Sequence, residues 1–192
     1  MPLVFTPLMK KRLTHRAQTM IERALPYFPE LEGKIITVGL TRKHLGSATI
    51  GYRAGTISRL IIRLKVRNVT YQTIGHELTH LVQGLARGDR WIPGAAVRHR
   101  IPSGEKQCDI WTLARDFLFC DDPPTYLRMP RAVRERWPDY AELVRELCIA
   151  AIAHRATQRR YIQWLEVEIK KLSSKESLPE QGPRQLSLPF IF

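Results

Sequence analysis

Three residues in the first half of the chain have the types and spacing of a metal-dependent hydrolytic site. His76, Glu77 and His80 form the pattern H-E-x-x-H. Side chains four residues apart on a helix project from the same face, so both imidazoles can reach one Zn²⁺. Glu77 lies beside that face, where its carboxylate can take a proton from a metal-bound water. The pattern therefore predicts one zinc ion per chain, with Glu77 as the general base.

The residues around this pattern predict that it lies on a helix. Apolar residues recur at steps of three and four and form a stripe roughly opposite the histidines. They are Tyr71, Ile74, Leu78, Leu81, Val82 and Leu85. Asn68 and Thr70 are available as N-caps, and Gly84 is the expected end of the helix. Such a helix would bury its apolar face and turn the histidines towards a cleft.

A catalytic zinc usually has three protein ligands, and two downstream residues compete for the third position. Glu105 lies at the start of a second predicted helix, for which Ser103 reads as the N-cap. Asp109, four residues later, shares its face and can accept the outer N–H of a ligating histidine. The rival ligand is His99, which lies in a basic loop. If Glu105 is not a ligand, it is a solvated carboxylate favoured by the helix dipole.

His76-Glu77-x-x-His80 followed by Glu105-x-x-x-Asp109 resembles the gluzincin clan of zinc metallopeptidases, over roughly residues 34–120. The short chain is most similar to the minimal gluzincins. The resemblance implies that His76, His80 and Glu105 hold zinc, that Asp109 supports a ligating histidine, and that peptide bonds are hydrolysed. SprT-like DNA–protein crosslink proteases have a third histidine after H-E-x-x-H, but His99 lacks the surrounding pattern of those families.

Gluzincins generally present a Tyr or His that donates a hydrogen bond to the oxyanion of the tetrahedral intermediate. The downstream candidates for this donor are Tyr126 and His154. No local motif selects either one. The alternative for His154 is an ordinary packed or surface histidine on an Ala-rich helix.

The periodicities and the resemblance together predict an α+β, zincin-like fold. Its elements are an N-terminal helix over 7–25, strands over 34–40, 47–52 and 55–64, the H-E-x-x-H helix, the glutamate helix and a C-terminal helical part. The second and third strands should pair as a hairpin. By resemblance, the third strand borders the cleft and an extended substrate adds to it; otherwise it is a core strand. The expected units are a catalytic core over 1–122, a helical subdomain over 123–172 and a flexible tail over 173–192.

The C-terminal helical part should follow an irregular, proline-containing connection over residues 121–138. Asp139 and Glu142 predict a capping box for one long helix that extends to about Leu172. The second half of this helix has apolar residues among many charges. It could project, self-associate or fold back as a separate helix.

Charge and cysteine usage limit the partners and the compartment. The net charge is +13 and the isoelectric point is about 10.2, which predicts an anionic partner, nucleic acid or an acidic protein. In the loop over 84–104, the arginines could contact phosphates while Trp91 stacks on a base. Alternatively, Trp91 packs in the core and the arginines are solvated. Three widely spaced cysteines, no long apolar run and no secretory leader favour the cytoplasm and no membrane.

The end of the chain contains apolar residues in a polar tail. The run Gln185-Leu186-Ser187-Leu188-Pro189-Phe190 resembles peptides that bind the replicative sliding clamp, with Gln185, Leu186, Leu188 and Phe190 as anchors. Alternatively, the tail packs as a last strand or blocks the cleft. The leading hypothesis is therefore a zinc metallopeptidase that acts on proteins near DNA or a clamp. The alternative is a DNA- or clamp-associated binding protein with a structural or vestigial zinc site.

Overall fold

The structure, a computed structural model, describes residues 2–53, 56–88 and 101–174, which form an α+β fold with one four-stranded mixed sheet. The strands are β1 (Leu3–Phe5), β2 (Ile36–Leu40), β3 (Gly46–Arg53) and β4 (Thr56–Leu64). The described helices are α1 (Pro7–Lys10), α2 (His15–Ala24), α3 (Tyr71–Gly88), α4 (Glu105–Arg115), α5 (Arg131–Glu135), α6 (Trp137–His154) and α7 (Tyr161–Ser174). The coarse α+β class agrees with the prediction.

The sheet has the strand order β1-β2-β4-β3. β1 and β2 are parallel, as are β2 and β4, whereas β3 and β4 form the antiparallel hairpin that the sequence predicts. The prediction that the strand over 55–64 borders the cleft is wrong, because β2 and β3 occupy both edges of β4. The edge strand on that side of the sheet is β3.

The N-terminal segment differs from the prediction of a single helix over 7–25. The chain forms two helices, α1 and α2. Thr14 is the N-cap of α2, where its side chain accepts a hydrogen bond from the Ala17 N–H at 3.1 Å. Thr6 caps α1 in the same way. β1 was not predicted, because three residues contain too little alternation to indicate a strand; its partner is residues Ile36–Val38 of β2.

Helix α3 packs against the sheet and contributes to the first hydrophobic core. Ile74, Leu78 and Leu81 are fully buried there, as the predicted apolar stripe requires. α3 does not end at Gly84 but continues to Gly88. Gly84 instead permits close contact with the sheet, since a Cβ at this position would lie 1.6 Å from Cδ1 of Ile50.

A second hydrophobic core joins α4, α6 and α7, and Trp111 of α4 packs against both cores. The long helix predicted from Asp139 to about Leu172 is two helices. Of the three alternatives for its second half, the structure confirms the fold-back: α7 packs on α6 as a separate helix and buries Leu165 and Ile169. The predicted capping box is wrong: α6 begins at Trp137, where a proline in the first turn is well tolerated. None of the helices in the described ranges is both long and apolar enough to cross a membrane.

Candidate metal centre

The start of α3 is fixed by side chains that satisfy its free backbone N–H groups. Thr70 accepts a hydrogen bond from the Thr73 N–H at 3.1 Å, so this predicted N-cap is confirmed. Asp121 accepts two more, from the N–H groups of Tyr71 at 2.7 Å and of Gln72 at 2.9 Å. The segment that follows α4 thereby holds the N-terminus of α3, five residues before His76.

Helices α3 and α4 face each other through polar side chains at helical spacing. On α3 these are His76, His80 and Gln83; on α4 they are Glu105, Cys108 and Asp109. Close packing between the helices is possible because Gly75 has no side chain. A Cβ there would lie 2.6 Å from both Thr112 and Phe119.

The two histidines converge on a single carboxylate oxygen. Nε2 of His76 and Nε2 of His80 each lie 3.0 Å from Oε2 of Glu105. Ligands around a tetrahedral zinc, with bonds of about 2.0–2.2 Å, are separated by roughly 3.3–3.5 Å. Each histidine nitrogen is therefore close to the separation from the shared oxygen that a common ion requires. The structure thus brings together His76 and His80 of α3 and Glu105 of α4, the three ligands that the resemblance implied.

Asp109 orients His76 from the opposite side of the ring. Its Oδ1 lies 2.8 Å from Nδ1 of His76, and its Oδ2 accepts the backbone N–H groups of Tyr126 at 2.6 Å and Leu127 at 2.8 Å. The side chain is fully buried. Since a carboxylate only accepts hydrogen bonds, Nδ1 of His76 carries the hydrogen. This is the contact that the resemblance implied for Asp109.

The donor set is suited to a cation. With the hydrogen of His76 on Nδ1, its neutral imidazole presents the Nε2 lone pair to Glu105, and two acceptors in contact repel unless a proton or cation lies between them. Burial lowers the pKa of His76, but the hydrogen bond and charge of Asp109 outweigh it and raise that pKa overall. Burial raises the pKa of Glu105, whereas the His80 charge and the histidine hydrogen bonds lower it more.

Cys108 is a further candidate ligand, and sequence reasoning missed it. His76, His80 and Cys108 form a group whose donor atoms lie close enough to hold a metal ion. Sγ of Cys108, however, lies 3.2 Å from Nδ1 of His80, whereas Glu105 lies at Nε2 of the same ring. One ion cannot use both ring nitrogens of His80. We favour Glu105, because only its oxygen contacts both histidines; burial also raises the pKa of the Cys108 thiol, which disfavours the thiolate.

Glu77 lies in a tight part of the cleft beside the start of β3. Its side chain is buried, and its Oε2 has no hydrogen-bond partner among the described residues. Burial raises the pKa of Glu77 to about 7, although the nearby His76 charge lowers it. A Cβ on Gly46 would lie 2.5 Å from Oε1 of Glu77, so the start of β3 must be glycine for this carboxylate to fit.

A cleft of about 790 Å³ opens over these residues. It is bounded on one side by the edge strand β3 and on the other by Thr125 and Tyr126. The Tyr126 ring stacks on His76, with centroids 5.5 Å apart and planes at 24°. Burial and the charge of Glu105 raise the pKa of Tyr126, so its hydroxyl keeps the proton that a donor needs.

The other candidate oxyanion donor does not join the site. His154 ends α6, where its ring packs on Trp164 with centroids 4.3 Å apart, and it is not among the residues that line the cleft. The rival ligand His99, Trp91 and the clamp-like residues Gln185, Leu186, Leu188 and Phe190 lie outside the described residues. The predictions that concern them stay predictions.

Comparison with known proteins does not place the chain in a family. The chain matches no protein-family model, no curated protein and no solved structure. Its function therefore has to be inferred from the geometry and chemistry of the site.

Proposed function

We propose that the protein is a zinc-dependent metallopeptidase of the gluzincin type, with a zincin-like core, acting on proteins or peptides in the cytoplasm. One observation carries this proposal: Nε2 of His76 and Nε2 of His80 meet at one oxygen of Glu105, while Asp109 holds the far nitrogen of His76. Two neutral imidazoles and one carboxylate, with a supporting second carboxylate, are the donors expected at a catalytic zinc.

In this proposal each side chain has a separate role. His76, His80 and Glu105 bind the ion, which when bound supplies Lewis-acid polarisation of the scissile carbonyl and a lowered pKa for water. Glu77 accepts the proton of the attacking water at its carboxylate and returns it to the leaving amine. Without a bound ion, burial raises the pKa of Glu77 to about 7; a cation held by the three ligands would lower this pKa and favour the carboxylate that accepts the proton. Tyr126 is the better-placed candidate to donate a hydrogen bond to the oxyanion.

The position of β3 supports an extended peptide as the substrate. β3 lines the cleft from Gly46 to Tyr52, and among the described residues its outer edge pairs with no other strand. An unpaired edge offers backbone N–H and C=O groups to a peptide that adds as a further strand. Such pairing would hold a peptide bond alongside Glu77.

Substitution of Glu77 by glutamine tests the proposal. Glu77→Gln keeps the size of the side chain but cannot accept the proton, so it should bind zinc as wild type does and lose at least about a hundredfold in peptide hydrolysis. Hydrolysis of an unfolded protein substrate and zinc content are measured on the same samples. Equal rates for Glu77→Gln and wild type would contradict the mechanism.

The second candidate function is a DNA- or clamp-associated binding protein whose zinc site is structural. The proximity of Cys108 to His80 favours it, because His76, His80 and Cys108 could hold zinc through two imidazoles and a thiolate, the donors typical of structural sites, without Glu105. Replacement of zinc by Co²⁺ separates the two functions. A sulfur-to-cobalt charge-transfer band that disappears in Cys108→Ser would support the structural site; its absence in wild type would support the peptidase.

A further inference from the structure

Gln83 lies at the second histidine of the site and has no role in the proposal so far. It follows His80 by three residues on α3, so both side chains are on the same face, and it is buried. Its Oε1 lies 3.1 Å from Nδ1 of His80. His80 makes no contact with Asp109 like that of His76, and its orientation needs another source.

The surroundings of Gln83 determine which way its amide faces. The Nε2 end donates to the backbone oxygen of Pro102 and lies 3.4 Å from that of Gly104. Carbonyl oxygens only accept hydrogen bonds, so the NH₂ group must face them and Oε1 must face His80. An amide oxygen also only accepts, and Nδ1 of His80 therefore carries the hydrogen. Its Nε2 is left with the lone pair on the Glu105 side.

Cys108 contacts the same nitrogen at 3.2 Å, but it cannot replace Gln83 in this arrangement. A thiol could donate to Nδ1 only if that atom had no hydrogen, and Oε1 of Gln83 would then face a lone pair. With the hydrogen on Nδ1, the amide oxygen is the stronger acceptor and the sulfur the weaker one. Of the two neutral tautomers of His80, these contacts are consistent only with the one that carries its hydrogen on Nδ1.

The other end of Gln83 reaches the residues that introduce Glu105. Gly104 directly precedes Glu105, the first residue of α4, and has a φ of +122°, a conformation that favours glycine. Its backbone oxygen also accepts the Cys108 N–H at 3.1 Å. One amide thus contacts both a histidine of α3 and the turn from which Glu105 projects.

We propose that Gln83 is the positioning residue of the metal centre: it holds His80 in the tautomer that binds metal through Nε2 and ties it to the start of α4. This inference rests on the proposed function for the identity of the ion. It adds a residue to which neither the H-E-x-x-H pattern nor the resemblance gives a role. Groups in contact with metal-ligating histidines commonly change metal affinity about 10–100-fold when they are removed.

Two substitutions of Gln83 separate its role as hydrogen-bond acceptor for His80 from its role as donor to the backbone of Pro102 and Gly104. Gln83→Met removes both functions at similar size, whereas Gln83→Glu keeps an acceptor for His80 but cannot donate to Pro102 and Gly104. Gln18→Met on α2 is the control, since the Gln18 amide donates a hydrogen bond to Glu22 on its own helix and lies outside the site. Zinc affinity is measured by competition with a chromophoric chelator. The stability of the metal-free protein and the imidazole ¹⁵N spectrum of His80 are measured in parallel.

The expected results differ for each variant. Both Gln83 variants should lower the stability of the metal-free protein, but only Gln83→Met should weaken zinc binding, about 10–100-fold. The wild-type spectrum should report hydrogen on Nδ1 of His80, and only Gln83→Met should shift it towards the other tautomer. Gln18→Met should change none of these readouts.

Two results would overturn the inference. One is wild-type zinc affinity and an unchanged His80 spectrum in Gln83→Met. The other is an equal loss of affinity in Gln83→Glu and Gln83→Met, which would make Gln83 a purely structural link. If wild type binds no zinc at all, the proposed function fails, and the spectrum of the metal-free protein still decides whether Gln83 sets the tautomer.

Discussion

Asp109 bonds both to a candidate metal ligand and to the backbone beside the cleft. One oxygen faces His76, and the other accepts the N–H groups of Tyr126 and Leu127. The same carboxylate therefore sets the His76 tautomer and places the tyrosine whose ring stacks on it. Metal binding and the wall of the cleft should fail together when this carboxylate is altered.

Asp109→Asn tests this double role. The amide NH₂ must face either His76 Nδ1–H or two backbone N–H groups, and both choices bring donors together. Zinc affinity should fall about 10–100-fold, and the free energy of unfolding should fall by about 1–3 kcal/mol. Chelator competition and urea denaturation measure the two quantities. Asp139→Asn, on the exposed start of α6, is the control. Normal zinc affinity and normal stability in Asp109→Asn would refute the role of Asp109.

Gly46 limits the position of Glu77. A Cβ here would lie within 2.5–2.8 Å of three side-chain atoms of Glu77, so Gly46→Ala must displace that carboxylate. Peptide hydrolysis should fall by roughly tenfold to a hundredfold while zinc content is unchanged, because the ligands are not touched. Gly51→Ala, on the same strand, should have a much smaller effect. Equal activities for the two variants would show that the Gly46 contact does not position Glu77.

The geometry of the site depends on the fixed position of helix α3 relative to helix α4. Asp121 contributes to this by capping α3 from the segment after α4, across 50 residues of sequence. Asp121→Ala removes two hydrogen bonds to backbone N–H groups and should lower the free energy of unfolding by about 1–2 kcal/mol. Asp121→Asn, which keeps one acceptor, should lose less. The neighbouring Asp122→Ala is the control in urea denaturation, and equal losses at 121 and 122 would contradict the capping role.

The sequence predicted the elements whose signals are local. Thr70, the apolar stripe of α3 and the hairpin of β3 and β4 depend on short-range spacing, and the structure contains them all. The identity of the edge strand was missed, because strand order depends on β2 pairing with β4. Gly84 read as a helix end because the packing partner that explains it, Ile50, is distant in sequence.

In the site, too, residues marked by short-range spacing were predicted, and residues whose role depends on contact between distant elements were missed. Spacing selected His76, Glu77 and His80 and left Glu105 and His99 as rival third ligands, and the resemblance favoured Glu105 with Asp109. The structure places Glu105 and Asp109 at the two ring nitrogens of His76. Gln83 and Cys108 belong to neither the H-E-x-x-H nor the E-x-x-x-D pattern, and the roles proposed for them depend on the contact between α3 and α4. The i, i+3 step from His80 to Gln83 was the one signal that could have indicated a partner for His80.

The candidate metal centre lies beside α4, the helix that joins the two hydrophobic cores. Ile110 and Leu113 of this helix pack in the second core, while Glu105 and Asp109 face α3. The net charge of +13 and the clamp-like tail predict partners that would bring the protein to DNA. Both predictions concern the whole chain, and neither is needed for the proposed zinc chemistry.

Zinc content per chain tests the central proposal most directly. Elemental analysis is made on wild type and on folded Glu105→Ala, Cys108→Ala and His99→Ala variants. We predict one zinc in wild type, a clear loss in Glu105→Ala, and retention in the other two variants. Loss of zinc in Cys108→Ala or His99→Ala with retention in Glu105→Ala would reject the proposed ligand set. No zinc in wild type, even after reconstitution, would contradict the assignment as a zinc metallopeptidase.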